Sequence, residues 1–267
     1  MRGAMPRPHF STGPRLPRGL ARAALVAAAV ATGCAPALAY RPFDGTDAAV
    51  ADLGELEIEM QPAGVLRHST GKILKAPETV LNFGIVKQWE LVLEGQLDTP
   101  FAPGGPSSLS ESGVFLKHVL REGSLQDKTG PSVATEFGVL LPDLPSDQRV
   151  GASIAAIVSQ RWDWGTVHLN ASAALTRDQN ADYFLDAIIE GPAKWKVRPV
   201  AEFFYEDEIG AARTLSALVG AIWQVRDNLS FDVAVRHALR AGHPVDELRA
   251  GFTIGFPLNF LGGPGRK

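Results

Sequence analysis

Glu247-Leu248-Arg249-Ala250-Gly251-Phe252-Thr253-Ile254-Gly255-Phe256, close to the C-terminus, decides the fold. Leu248, Ala250, Phe252, Ile254 and Phe256 alternate with Glu247, Arg249, Gly251, Thr253 and Gly255. A period of two puts the apolar set on one face of a strand and the polar or small set on the other. The aromatic that closes the stretch resembles the targeting signal of bacterial outer-membrane barrels. The apolar face is then expected to meet lipid rather than a protein core.

The N-terminus has a different character. Arg2, Arg7, Arg15, Arg18 and Arg22 precede the apolar run Ala23–Ala31, and Ala37-Leu38-Ala39 has the A-x-A form of a cleavage site. Residues 1–39 thus read as a secretory signal peptide, with a run too short for a spanning helix. Ala31-Thr32-Gly33-Cys34 is a degenerate lipobox, and its use instead would leave Cys34 as a lipidated N-terminus. Cleavage after Ala39 removes 39 of 267 residues and five arginines, but no acidic residue, and leaves 228. The remainder carries 21 basic and 29 acidic groups, a net charge of −8, which disfavours nucleic acid as a partner. Cys34 is the sole cysteine, so the mature chain is expected to hold neither disulfide nor catalytic thiol.

Twelve alternating runs follow: Glu55–Leu66, Lys72–Val86, Trp89–Leu97, Gly113–Glu122, Val133–Leu141, Val150–Gln160, Trp164–Thr176, Asp182–Glu190, Lys196–Glu206, Thr214–Val225, Leu229–His237 and Glu247–Phe256. Their spacing suits tilted membrane-spanning strands of roughly 9–11 residues plus connections. The expected fold is all-β: a transmembrane up-and-down antiparallel barrel over residues 40–256, with 257–267 as a periplasmic tail. Connections after even-numbered runs are mostly tight (Lys87-Gln88, Arg161–Asp163, Arg226–Asn228), with Gly123–Ser132 an exception. Those after odd-numbered runs, such as Asp98–Ser112, Asp207–Arg213 and Ala238–Asp246, read as longer outer loops. Short periplasmic turns and an even strand count put both termini in the periplasm. Trp89, Trp162, Trp164, Trp195 and Trp223 lie near the periplasmic turns, and Tyr183 and Tyr205 at the opposite strand ends. Such a distribution is expected of aromatic belts at the two membrane interfaces. Pro199, on the apolar face of its run, predicts a local bulge.

From Leu81 onward the chain resembles the outer-membrane family named for the meta-pathway of phenol degradation. The carrying segments are Gly113–Glu122 (GVFLKHVLRE), Trp164–Leu175 (WGTVHLNASAAL), Val200–Phe204 (VAEFF), Leu215–Val225 (LSALVGAIWQV), Asn228–Val235 (NLSFDVAV) and Leu248–Phe256 (LRAGFTIGF). Resemblance to this family implies an outer-membrane barrel that passes small, often hydrophobic or aromatic compounds. The acidic first strand and the residues after Phe256 depart from its pattern; Phe260 could extend the aromatic rim.

Polar positions on the expected lumen face are the functional material. The acidic ones are Glu55, Glu57, Glu59, Glu90, Glu94, Glu136, Asp186, Glu190, Glu202, Glu206, Asp232 and Glu247; the basic ones are Lys117, Arg121, Arg198, Arg236 and Arg249; His168 and Asn170 join them. Two readings stand side by side: a hydrogen-bond and ion-pair network that fills the lumen, or a narrow path favouring cations or neutral solutes. Arg198, Arg236 and Arg249 are the expected partners of Glu202 and Asp232. A barrel hydrolase built on His168, Asn170 and Ser172 would need these on the lipid face, so no enzyme is expected. His237 and His243 lack metal-ligand spacing, Glu206-Asp207-Glu208 reads as a solvated acidic loop tip, and no cofactor or metal is expected. The expected partners are outer-membrane lipid, the assembly machinery that reads the terminal aromatic, and an unidentified small solute. A non-conducting structural barrel and a soluble periplasmic barrel with inverted faces are the alternatives.

Overall fold

A computed structural model of the chain describes residues 41–102, 104–145 and 149–258. The signal peptide, Cys34, Phe260 and most of the C-terminal tail lie outside the described residues. Twelve antiparallel strands close into one barrel: β1 (Glu55–His68), β2 (Gly71–Val86), β3 (Trp89–Pro100), β4 (Ser108–Arg121), β5 (Ser132–Leu140), β6 (Gly151–Trp162), β7 (Gly165–Leu175), β8 (Ala181–Glu190), β9 (Val197–Glu208), β10 (Ala212–Arg226), β11 (Leu229–Arg240) and β12 (His243–Pro257). Each strand pairs with its sequence neighbours, and β12 returns to β1 through registers such as Ile58↔Ile254. Closure leaves no strand edge unpaired, the condition for placing sheet backbone in hydrocarbon.

The faces settle the solvent. Along β12, Leu248 is 51% exposed, whereas Arg249 beside it is 5% exposed. Ile154, Leu185, Phe203, Val219, Val233 and Val235 likewise stand outward with half or more of their surface open. Glu59, Lys117, His168, Glu202 and Glu247 are buried inside. An apolar exterior around a polar interior inverts a soluble barrel, so the soluble alternative is excluded and the outer wall is a lipid-facing surface. Aromatics ring the end that carries the even-to-odd turns, called periplasmic below. Trp162 and Trp164 stack at 5.3 Å across their turn, Trp89 stacks on His118 at 4.1 Å, and Trp223 lies 6.3 Å from Phe231. Trp195 stands exposed in the β8–β9 connection, and Tyr183 and Tyr205 are exposed near the opposite ends of β8 and β9.

Three expectations change. The strands run further toward the extracellular end than the alternation alone suggested. The β11–β12 connection shrinks to Ala241-Gly242 and the β9–β10 connection to Ile209–Ala211. Backbone pairing continues where the hydrophobic pattern has stopped, because beyond the lipid both faces can be polar. Glu206-Asp207-Glu208 is therefore the end of β9, not a loop tip: Asp207 binds Arg213 at 3.0 Å, and Glu208 accepts from Thr176 and Asn180. Pro199 makes no bulge. It pairs with Ala221 without a register shift, and its carbonyl accepts from Gly191 beyond the end of the β8 ladder. Two of the register shifts do fall at prolines: Met60/Ala63 and Lys75/Glu78, where Pro62 and Pro77 could not donate to a regular ladder.

Lipid exposure makes the outer face sensitive to charge. Leu169→Arg, in the middle of β7, is expected to cost about 2–4 kcal/mol of barrel stability in bilayers. Urea unfolding of the reconstituted barrel checks this.

Candidate functional site

Arg41–Leu53 lies inside the barrel, not in its wall. The segment is irregular, with turns and bends, has no sheet partner, and runs down the lumen to the periplasmic turn before β1. Every N–H and C=O it buries needs a hydrogen bond. Inward side chains supply several of them. Glu202 Oε1 on β9 accepts from the N–H groups of both Asp44 and Gly45, each at 2.8 Å. Asn170 Oδ1 on β7 accepts from Thr46 N–H at 3.2 Å, Ser159 Oγ on β6 from Ala48 N–H at 2.9 Å, and Glu90 Oε2 on β3 from Ala51 N–H at 2.6 Å. Arg249 Nη1 donates to the Pro42 carbonyl at 2.8 Å. The β4–β5 connection also reaches in: its 3-10 turn, Ser124–Gln126, lets Gln126 Nε2 donate to the Ala48 carbonyl at 2.9 Å.

Ion pairs hold the upper part of the segment. Arg249 Nη2 meets Asp44 at 2.8 Å and Glu247 at 3.0 Å. Arg236 meets Glu247 at 2.7 Å and Asp44 at 3.5 Å, and Lys75 meets Glu247 at 3.3 Å. Arg41 donates to Gln61 at 2.8 Å and lies 3.4 Å from Asp232 and 3.5 Å from Glu78. Lower down, Lys117 on β4 donates to Thr46 Oγ1 at 3.1 Å and pairs with Asp47 at 3.5 Å and Glu90 at 3.8 Å. Apolar contacts complete the seat. Ala48 packs with Leu125, Ala134 and Ile157, and Phe43 packs on Val200 and Ile222. The fit is close enough to exclude a methyl group: a Cβ on Gly45 would stand 1.9 Å from Asp186 Oδ2, and one on Gly251 2.4 Å from Arg41 Nε.

Most of the candidates from the sequence line this seat. Glu90, Lys117, Asn170, Asp186, Arg198, Glu202, Asp232 and Arg249 are buried and inward, Arg236 is largely so, and Glu94 and Glu136 are half-buried on the inward face. Arg121 is not in the lumen. The register shift between Val119 and Arg121 breaks the alternation, and its guanidinium reaches the carbonyls of Pro131 and Thr129 at the periplasmic rim. Expected pairings also change. Glu202 binds backbone N–H groups and Asp232 binds Arg41, whereas Arg198 pairs with Glu190 at 3.2 Å. His168 is joined by Ser159, not Ser172: Nδ1 lies 2.8 Å from Ser159 Oγ and Nε2 3.1 Å from Glu190. Ser159 is 0% exposed and already occupied by Ala48, so this Ser–His–Glu relay orients an acceptor for the segment and has no room for substrate. His237 pairs with Asp246 at 2.7 Å on the surface, and no metal-ligating cluster occurs among the described residues. The segment itself was missed, because it has neither period two nor a motif; its small residues and three aspartates were the only signal.

Neither a family model nor a curated protein sequence matches the chain. Solved structures do. The COG4313 outer membrane channel from Pseudomonas putida F1 aligns with TM-score 0.57 at 10% identity, covering 80% of this chain and all of that one. The KdgM porin, solved in complex with disordered oligogalacturonate, aligns at 0.52 and 13% identity over 76% of this chain and 99% of its own. The NanC porin aligns at 0.52 and 7% identity over 74% and 98%. At such identities the likeness carries the fold, which is that of outer-membrane channel barrels. A closed barrel with a lipid-facing wall and this fold belongs in the bacterial outer membrane.

Removing one partner of a buried ion pair costs about 3–5 kcal/mol. Arg249→Met, which takes from Asp44 its nearest cation and from Pro42 its donor, is expected to loosen the segment while the barrel stays folded. A cysteine placed at Ala49, in a Cys34→Ser background, should then react with an impermeant maleimide at least tenfold faster than in the parent.

Proposed function

We propose that the chain is an outer-membrane channel whose pore is closed by its own N-terminal segment and opens when that segment leaves its seat. The observation that carries this reading is the way the lumen is filled. Among the described residues Arg41–Ala51 is held to the wall by side-chain hydrogen bonds, ion pairs and small apolar contacts, with no strand pairing to it. Such contacts can be exchanged for water without breaking the barrel ladder. Residues 1–39 act as the signal peptide that delivers the chain for export, and the terminal strand is what the assembly machinery reads.

The cargo is a small solute. The resemblance to the phenol meta-pathway family, carried by the segments quoted above, favours small hydrophobic or aromatic compounds. Phe184 and Phe204, with ring centroids 5.1 Å apart, and Arg236 5.9 Å from the Phe204 ring offer an aromatic surface inside the barrel. The KdgM porin was solved with a polyanionic sugar. The inward carboxylates of β1, β3 and β5 disfavour such a cargo here. Chemistry at Ser159 has no place in the reading.

Deleting Pro42–Ala51, or filling the seat with Gly45→Val, is expected to raise single-channel conductance in planar bilayers several-fold over the parent. A deletion variant that folds yet conducts no more than the parent would remove the gating reading.

A further inference from the structure

We propose that a cavity between the docked segment and the β1–β4 wall, open at the periplasmic end, binds a linear aliphatic diamine. The cavity holds about 650 Å³. Seven carboxylates and three basic groups line it. The basic groups are poorly placed to balance the acids: Lys117 is already shared by Asp47 and Glu90, Arg161 leans on Asp127 at 4.0 Å, and Lys87 stands exposed on the β2–β3 turn.

Glu55 and Glu57 are left over. Both project inward from β1, two residues apart, and neither makes an ion pair among the described residues. Glu55 is only 9% exposed. One of its oxygens is turned toward the backbone of Asp52, whereas Oε1 is buried and has no hydrogen-bond partner. Glu59, next on the same face, accepts from the neutral Asn82 amide at 2.8 Å and has no ion pair within 4 Å among the described residues. A buried carboxylate oxygen without a donor is costly, and a cation brought from solution removes the cost.

The spacing selects the cation. Residues i and i+2 on a strand stand about 6.7 Å apart, twice the rise per residue. An extended four-carbon diamine spans a comparable length, so its two ammonium groups can meet Glu55 and Glu57 together while the methylenes lie along Ala49, Val50 and Leu125. A divalent metal does not fit this arrangement, since no cluster of ligating side chains converges among the described residues. Asp47, Ala49 and Ala51 belong to the docked segment, so the site exists only in the closed barrel, and binding does not depend on conduction.

Isothermal titration of putrescine into the full mature barrel in neutral detergent at low salt tests the proposal. One saturable site is expected, with butylamine at least tenfold weaker. Glu57→Gln and Glu55→Gln should each weaken putrescine at least tenfold, and Asp227→Asn, on the β10–β11 turn, should leave it unchanged. Folding of each variant is checked by its unheated gel mobility. If a variant does not fold, the comparison of putrescine with butylamine on the parent barrel still decides. Absence of saturable binding, equal binding of butylamine, or full binding by folded Glu57→Gln would overturn the proposal.

Discussion

A stretch of backbone lodged inside a barrel cannot leave its buried polar groups bare, and this constraint organises the interior. Arg41–Leu53 has no neighbouring strand, so its donors and acceptors must be met by side chains reaching from different staves of the wall. Glu202, Asn170, Ser159, Glu90 and Arg249 do so from β9, β7, β6, β3 and β12. The polar lining is thus shaped to one occupant. His168, Glu190 and Arg198 extend the same logic outward: His168 fixes Ser159, Glu190 fixes His168, and Arg198 fixes Glu190.

Charge is unevenly distributed around the lumen. Lys75, Arg236 and Arg249 gather on the β2, β11 and β12 side, where Asp44 and Glu247 balance them. On β1, β3 and β5 the lumen instead presents Glu55, Glu57, Glu59, Glu90, Glu94 and Glu136, with Lys117 as the principal cation facing them. The segment matches this division: its upper part answers the basic wall through Asp44, and its lower part offers Asp47 to Lys117.

Much of the barrel was legible in the sequence because lipid demands strict alternation. Leu248, Phe252 and Ile254 against Arg249, Gly251 and Thr253 divide the two faces, and all twelve strands could be drawn that way; which face meets lipid needed the turn asymmetry and the aromatic placement as well. Beyond the lipid the demand lapses, which is why the extracellular extensions of β4, β11 and β12 were read as loops. Arg121 was misplaced by a bulge that alternation cannot register. The segment in the lumen was illegible for a deeper reason. Its position rests on side chains more than a hundred residues away, as when Gly45 meets Glu202, and nothing local in Asp44-Gly45-Thr46-Asp47 records that.

The arrangement also imposes an order of assembly. The segment precedes β1, yet its partners include β9, β11 and β12, and β1 pairs with β12 only at closure. A segment that precedes β1 therefore cannot find its full place until the last strand has. Contacts of such sequence separation form late, after their loop-closure entropy has been met. A newly inserted barrel accordingly passes through an unstoppered stage, with its inward carboxylates and arginines solvated by water before the segment replaces it.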